Sequence, residues 1–336
     1  RNTSMSLQFY TREDLKKHTS TRKGEEKFGQ AVGLVNSWEA LEKSDATYVI
    51  LGIPEDVGVR ANMGRAGAEK AWSSCLSALC NIQSNSYTNP NNTVILGEID
   101  CKAEQQSASK LDIKDPNYQS KIGSLVQQID IKVSKVIAKV ISVNKIPVII
   151  GGGHNNSYGN IKGAATVLKA GINCINLDPH TDFRALEHRH SGNGFSFAME
   201  EGYLEKYYIL GLHKNYTSGA VFEKMDTLKE KIKYSFYEDY ITGTPFKQML
   251  EQAKNFCANS PFGLELDMDA IKQMGSSAIS PSGFSLQQAR EYVSYFSRLK
   301  NCQYIHICEG APSRELHYNQ VAKAISYLVS DVISKA

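Results

Sequence analysis

The stretch Asn173-Cys-Ile-Asn-Leu-Asp178-Pro-His180-Thr-Asp182-Phe-Arg184 carries the pattern on which the fold turns. It opens as a short apolar run. It then breaks into Asp178, His180 and Asp182, one polar residue at every second position. Alternate residues of extended backbone share a face, so this spacing aims three side chains of metal-ligating type the same way. An apolar run of this length suits a strand buried on both faces, the kind found in parallel sheets.

The same grammar recurs along the chain. Apolar runs at 47–53, 93–99, 146–150, 173–177, 207–212, 233–236, 262–266 and 304–307 end in Gly, Asp, His or Glu. Helical periodicity fills 121–143, 286–299 and 321–334, with Ser285 and Asn319 placed to cap the last two. Strands alternating with helices predict an α/β fold of three layers, with a mostly parallel sheet of about eight strands and helices on both faces. The polar gap 83–92 reads as a surface loop, and no Pro/Gly/Ser-rich linker divides the chain. Residues 1–40 read as a polar N-terminal extension and 41–336 as a single catalytic domain.

Composition narrows the function. The 336 residues are 41% hydrophobic and 22% charged, enough for a large core. Thirty-eight basic side chains against 35 acidic ones leave a net charge of +3, and no block of like charge marks a nucleic-acid or membrane surface. The seven cysteines form no Cys-x-x-Cys unit and fit a reducing compartment. No apolar stretch follows Met5 as a secretory signal would require, and no run approaches the ~18 apolar residues of a membrane span. The expectation is a cytoplasmic protein whose partner is a small molecule.

In an open parallel sheet, ligands bind outside the carboxyl ends of the strands. Two more strand ends carry unusual chemistry. Pro147-Val-Ile-Ile-Gly-Gly-Gly-His154 places a histidine after three glycines, which let the backbone turn sharply and let another group approach. Gly263-Leu-Glu-Leu-Asp267-Met-Asp269 sets two carboxylates two residues apart. Taken singly, the histidine reads as structural, and the Asp-x-Asp reads equally as a turn or a helix cap. Together, four carboxylates at one place would repel one another and raise their pKa values, unless two divalent ions neutralised the four charges. Carboxylates with two imidazoles suit a fairly hard, borderline ion, and the absence of thiolates argues against a structural zinc site. The candidate ligands are His154, Asp178, His180, Asp182, Asp267 and Asp269.

Gly-Gly-x-His, Asp-x-His-x-Asp and Asp-x-Asp, in this order, resemble the ureohydrolase superfamily of arginase, agmatinase and formiminoglutamase. The resemblance runs from about residue 45 to residue 312. It implies an arginase-like fold and two Mn²⁺ ions per chain. One ion would be held by His154, Asp178, Asp182 and Asp267, and the other by Asp178, His180, Asp267 and Asp269. The segment Gly58-Val-Arg60-Ala-Asn62-Met-Gly64-Arg65-Ala-Gly67, the Gly-Gly-Gly-His form of the first motif and Arg184 are similar to the formiminoglutamase branch. Ser191-Gly-Asn193 matches an arginase motif, but Phe195 stands where arginases carry a histidine, which argues against arginase activity. Asn155 after His154, and Ala270-Ile-Lys where the third motif ends Asp-Pro in the family, are further departures.

The resemblance implies hydrolysis of N-formimino-L-glutamate to L-glutamate and formamide, a step of histidine breakdown. Asp182 would handle the proton. Glu309, in His306-Ile-Cys-Glu309-Gly-Ala-Pro312, would face the cationic end of the substrate, unless it is a loop or capping residue. Arg60 or Arg184 would bind substrate carboxylates, with Asn193 also at the substrate end. His188 and His190 read as loop residues, with proton shuttling as the other role. Two alternatives stand beside this: a guanidino hydrolase of arginase or agmatinase type, and an inactive metal-binding paralogue with a regulatory role. By analogy, the chain is expected to form a homo-oligomer.

Overall fold

A computed structural model describes residues 3–4 and 6–334; Met5 and the two residues at each end lie outside the description. All eight expected strands form, preceded by two short ones. In chain order the strands are β1 (Thr3–Ser4), β2 (Leu7–Phe9), β3 (Tyr48–Gly52), β4 (Thr93–Ile99), β5 (Ile146–Ile150), β6 (Ile172–Leu177), β7 (Leu204–Leu212), β8 (Ile232–Phe236), β9 (Phe262–Asp267) and β10 (Cys302–Cys308). They join one sheet in the order β1-β2-β4-β3-β5-β10-β9-β6-β7-β8. The eight strands from β4 to β8 pair in parallel, and the β1–β2 ribbon adds to β4 antiparallel.

Alternation along the strands sorts the core into two layers. Tyr48, Ile50, Val148, Ile150, Leu264 and Ile305 face one side, where helices Ala71–Leu79, Phe246–Cys257, Leu286–Ser297 and Gln320–Ile333 cover the sheet. Val49, Leu51, Ile149, Cys174 and Ile209 face the other, under Tyr118–Ser142 and Ser157–Leu168. This is the expected three-layer α/β arrangement. On β9 and β10 the second face changes character. Gly263, Glu265 and Asp267, with Tyr304, His306 and Cys308, alternate with the apolar residues of the first face. A polar seam therefore runs through the middle of the sheet toward its carboxyl end.

Of the two caps expected from sequence, one forms. Ser285 Oγ accepts from the Gln288 amide at 3.1 Å while Gln288 accepts from the Ser285 amide at 2.9 Å, a reciprocal cap. Asn319 does not cap with its side chain. Its backbone is left-handed at φ 58°, and Glu315 takes the Asn319 and Val321 amides instead. No helix among the described residues is long and apolar enough to cross a membrane.

The described residues of the 1–40 segment are woven into the fold. Leu7 pairs with Ile99 across β2 and β4, and Leu15, Phe28 and Val32 are buried beside Trp72 and Leu76. Their apolar residues are too sparse to show a period, yet the described ones fill the layer.

One ion pair ties the long helix to the loops at the carboxyl end of the sheet. Arg189 donates to Asp130 through Nε at 2.9 Å and Nη2 at 3.0 Å, with both side chains buried. The same guanidinium donates to the Asn155 carbonyl at 2.8 Å and to Asn193 Oδ1 at 2.7 Å. Removing one partner of a buried pair leaves the other charge uncompensated. Arg189→Ala is expected to cost about 3–5 kcal/mol, read as a fall in Tm and in the midpoint of denaturant unfolding.

Candidate metal centre

The loops that follow β5, β6, β9 and β10 supply the candidate residues. These four strands are contiguous, in the order β5-β10-β9-β6, so side chains far apart in sequence meet at the sheet's carboxyl edge. The glycine turn after β5 works as its sequence requires. Gly151 and Gly152 adopt φ 94° and 69°, and a Cβ on Gly152 would sit 2.3 Å from Asn156 Nδ2. Buried Glu55 pins the turn. Its Oε1 accepts from the Gly153 amide at 2.9 Å and from the side chains of Asn155 at 3.2 Å and Asn156 at 2.7 Å.

The turn delivers His154 into a cluster of carboxylates. Its Nδ1 lies 3.0 Å from Asp178 Oδ2, 2.7 Å from Asp182 Oδ2 and 3.1 Å from Asp267 Oδ2. One ring nitrogen carries at most one hydrogen and cannot serve three oxygens. Asp182 Oδ2 is buried without a hydrogen-bond partner despite its closeness to that nitrogen. Beside this group, His180 Nδ1 lies 3.4 Å from Asp178 Oδ1 and 3.8 Å from Asp269 Oδ2. The six expected side chains thus fall into two overlapping constellations, His154/Asp178/Asp182/Asp267 and His180/Asp267/Asp269, each compact enough to hold a cation.

Electrostatics points the same way. Burial and the charge of Asp178 push Asp182 up to about 7. Burial, then Asp178 and Asp269, push Asp267 well above the usual carboxylate range. Burial opposes the charge of His180, but its hydrogen bond to Asp178 and the neighbouring carboxylates outweigh it and raise the imidazole to about 10. Without cations, the cluster has to hold protons. The donor set fits a pair of divalent ions, whose four positive charges would replace them.

A cavity of about 540 Å³ opens over the cluster. His180, Asp182, Asp267, Asp269, Arg184 and Glu309 border it, while His154 and Asp178 lie deeper. Glu309 accepts from the His154 amide at 2.7 Å and from Ser277 Oγ at 2.5 Å, and burial with Asp269 nearby lifts its carboxyl to about 8. Both Asp182 and Glu309 adopt left-handed backbone, φ 45° and 68°, a strain of the kind that collects at functional sites.

Two expected substrate contacts are not brought to the cavity. Arg60 sits on the short helix Val57–Ala61 and turns back to Asp56, 3.2 Å away. Asn193 is fully buried, with Oδ1 accepting from Arg189 and the His190 amide and Nδ2 donating to the Ala185 and His188 carbonyls. Its hydrogen-bonding capacity is used inside the loop. Arg184 does border the cavity, held by Asn62 Oδ1 at 2.5 Å and Glu187 Oε1 at 3.2 Å. His188 and His190 are committed to the loop, to the Ala61 carbonyl at 2.8 Å and to Glu187 at 2.8 Å. Phe195 stacks on Tyr207 at 4.2 Å and meets His154 edge-on at 5.2 Å, so it walls the site.

Ser277 lies in no sequence motif, Asn62 enters only as part of the 58–67 segment with no role of its own, and the pair Glu265 and His306 carries no sequence assignment. For the pair a signal existed. Each is a polar residue inside an apolar strand run, two and three residues before Asp267 and Glu309 respectively.

Residues 46–334 match the arginase family. The chain belongs to that family. It is 24% identical to a formimidoylglutamase of Geobacillus kaustophilus (strain HTA426) over 314 residues, 90% of this chain and 89% of that protein. It is 26% identical to one of Geobacillus sp. (strain WCH70), covering 90% of this chain and 88% of that one. Among solved structures it is similar to a Trypanosoma cruzi formiminoglutamase with Mn²⁺, at TM-score 0.72 and 18% identity, covering 92% of this chain and 98% of that one. The formimidoylglutamase of Bacillus subtilis overlays at TM-score 0.73 and 18% identity, covering 94% and 93%. These overlays establish the arginase fold.

The raised carboxyls and imidazoles give a testable pH dependence. Ligands must lose their protons to bind metal. Asp182 near 7 and His180 near 10 therefore make divalent-ion binding release protons, and affinity rises as pH increases from 6 to 8. Calorimetric Mn²⁺ titrations in buffers of different ionisation enthalpy should show net proton release that shrinks toward high pH.

Proposed function

We propose that this arginase-family hydrolase, which acts on C–N bonds of linear amidines, cleaves N-formimino-L-glutamate to L-glutamate and formamide with two bound Mn²⁺ ions. The observation that carries the reading is the convergence of all six candidate ligands beneath one cavity, with Glu309 on its wall. Formimidoylglutamases that match about nine-tenths of the chain support the substrate. His154, Asp178, Asp182 and Asp267 would hold one ion, and Asp178, His180, Asp267 and Asp269 the other. When bound, the pair supplies Lewis acidity and lowers the pKa of water, so hydroxide is available near neutral pH.

The chain's own residues do the rest. Glu309, fixed by the His154 amide and Ser277, pairs with the amidinium nitrogen, whose charge holds the carboxylate in its anionic form. Water adds to the formimino carbon, forming the C–O bond. Asp182 takes one proton of the water and delivers it to the substituted nitrogen; as the C–N bond breaks, the added hydroxyl becomes the carbonyl of formamide, and its remaining proton passes to the departing amine of glutamate. Arg184, clamped by Asn62 and Glu187 at the cavity rim, binds a substrate carboxylate. The catalytic unit spans residues 41–336, the first forty residues serve as a packed extension, and the enzyme works in the cytoplasm as a homo-oligomer.

A panel of formiminoglutamate, arginine, agmatine and guanidino acids tests the substrate in Mn²⁺-loaded protein. Formamide release from formiminoglutamate alone is the expected result. Urea from arginine or agmatine would replace this reading with a guanidino hydrolase. Glu309→Gln keeps shape and removes charge, and should lower kcat/KM on the order of 10²-fold. Arg184→Ala should act mainly on KM, raising it about tenfold for one lost charged contact.

A further inference from the structure

Behind the metal centre, away from the cavity, lies a second group of polar side chains to which the proposed chemistry gives no task. Glu265 of β9 and His306 of β10 are register partners in the parallel ladder, and both are fully buried. Burying a carboxylate costs several kcal/mol unless it is paired and hydrogen-bonded. Glu265 meets that condition. Its Oε1 lies 2.9 Å from His154 Nε2 and 2.7 Å from His306 Nδ1, and Asn160 Nδ2 donates to its Oε2 at 3.3 Å.

The chain of contacts then closes on itself. His306 Nε2 lies 3.0 Å from the carbonyl of Gly151 and donates to it, since a carbonyl only accepts. Gly151 opens the glycine turn that carries His154. The route runs from the backbone of the turn, through the His154 ring, Glu265 and His306, and back to the turn. Both ends of the His306 ring face oxygen, so the ring is fixed, and it in turn fixes the oxygen that meets His154.

We propose that Glu265 and His306 are positioning residues that orient His154 and tighten the ion it holds. The proposal rests on the reading of His154 as a metal ligand. A carboxylate on Nε2 takes that nitrogen's hydrogen, which leaves the Nδ1 lone pair free toward Asp178, Asp182 and Asp267. The hydrogen bond also makes the ring a stronger donor.

A competing possibility is that His154, Glu265, His306 and Cys308, which also lie close together, hold a cation themselves. The contacts argue against it. The two imidazoles and the carboxylate are already joined by hydrogen bonds. The Cys308 thiol is kept protonated by burial and leans on the Leu266 carbonyl at 3.6 Å.

The test is a stepwise calorimetric Mn²⁺ titration into the metal-free full chain, with Tm measured on the same samples. Wild type should take up two ions; failure to do so overturns the metal reading itself and leaves His154 no ion to hold. Glu265→Gln should weaken one of the two steps about 10–100-fold, leave the other within about threefold, and keep the metal-free Tm close to wild type. Two unchanged steps, or two steps weakened equally along with a collapse in Tm, would overturn the proposal. If Glu265→Gln does not fold, His306→Asn decides: it frees the Glu265 oxygen and should weaken the same single step, and unchanged binding would overturn the proposal.

Discussion

Everything at the carboxyl edge of this sheet depends on gathering negative charge. Asp178 and Asp182 follow β6, while Asp267 ends β9, the strand beside it, and Asp269 follows. Parallel pairing forces the two sets together, and burial denies them water. Four carboxylates in that position repel one another, and the raised protonation of Asp182 and Asp267 records their burial first and that repulsion second. Two imidazoles relieve it only in part. The arrangement makes sense as a cradle for cations, built on the rigid ends of strands and not on free loops.

The support for that cradle is spread widely. Glu55 holds the glycine turn from the β3 side, Arg189 and Asp130 link the turn to the long helix, and Phe195, stacked on Tyr207, packs against the His154 ring. Ligand placement therefore draws on several elements of the α/β core. The left-handed backbone of Glu309 is held on both sides, its amide donating to the Gly152 carbonyl at 2.9 Å and its carbonyl accepting from the Ser277 amide at 3.3 Å.

What was legible in the sequence was the periodic part. Eight apolar runs became eight strands; Asp178, His180 and Asp182 do meet at one place, but in the loop after β6 and with Asp182 left-handed, so the loop's turns and not the two-residue strand period bring them together. The ligand motifs could be read because each lies within a few residues. Arg60 was read toward the substrate because it sits in a suggestive loop, but one turn of helix swings it back to Asp56. Asn193 shared a motif with the site, yet its amide is spent on Arg189 and its own loop. Glu265 and His306 are 41 residues apart, and only strand order and register make them neighbours. Pairings of that kind live in topology, which a local pattern does not encode.

The N-terminal ribbon bears on how the molecule keeps to itself. Without it, β4 would be the border of the sheet, a seven-residue strand reading Thr-Val-Ile-Leu-Gly-Glu-Ile with a row of unpaired amides and carbonyls. Such a border is a template for strands of other chains. Among the described residues, β2 occupies it with three residues, and β1 adds two more outside them. The result is a frayed hem in place of a straight seam: β2 takes up Gly97–Ile99, and Gly33 takes up the Thr93 carbonyl and the Ile95 amide, so the same chain answers much of that border.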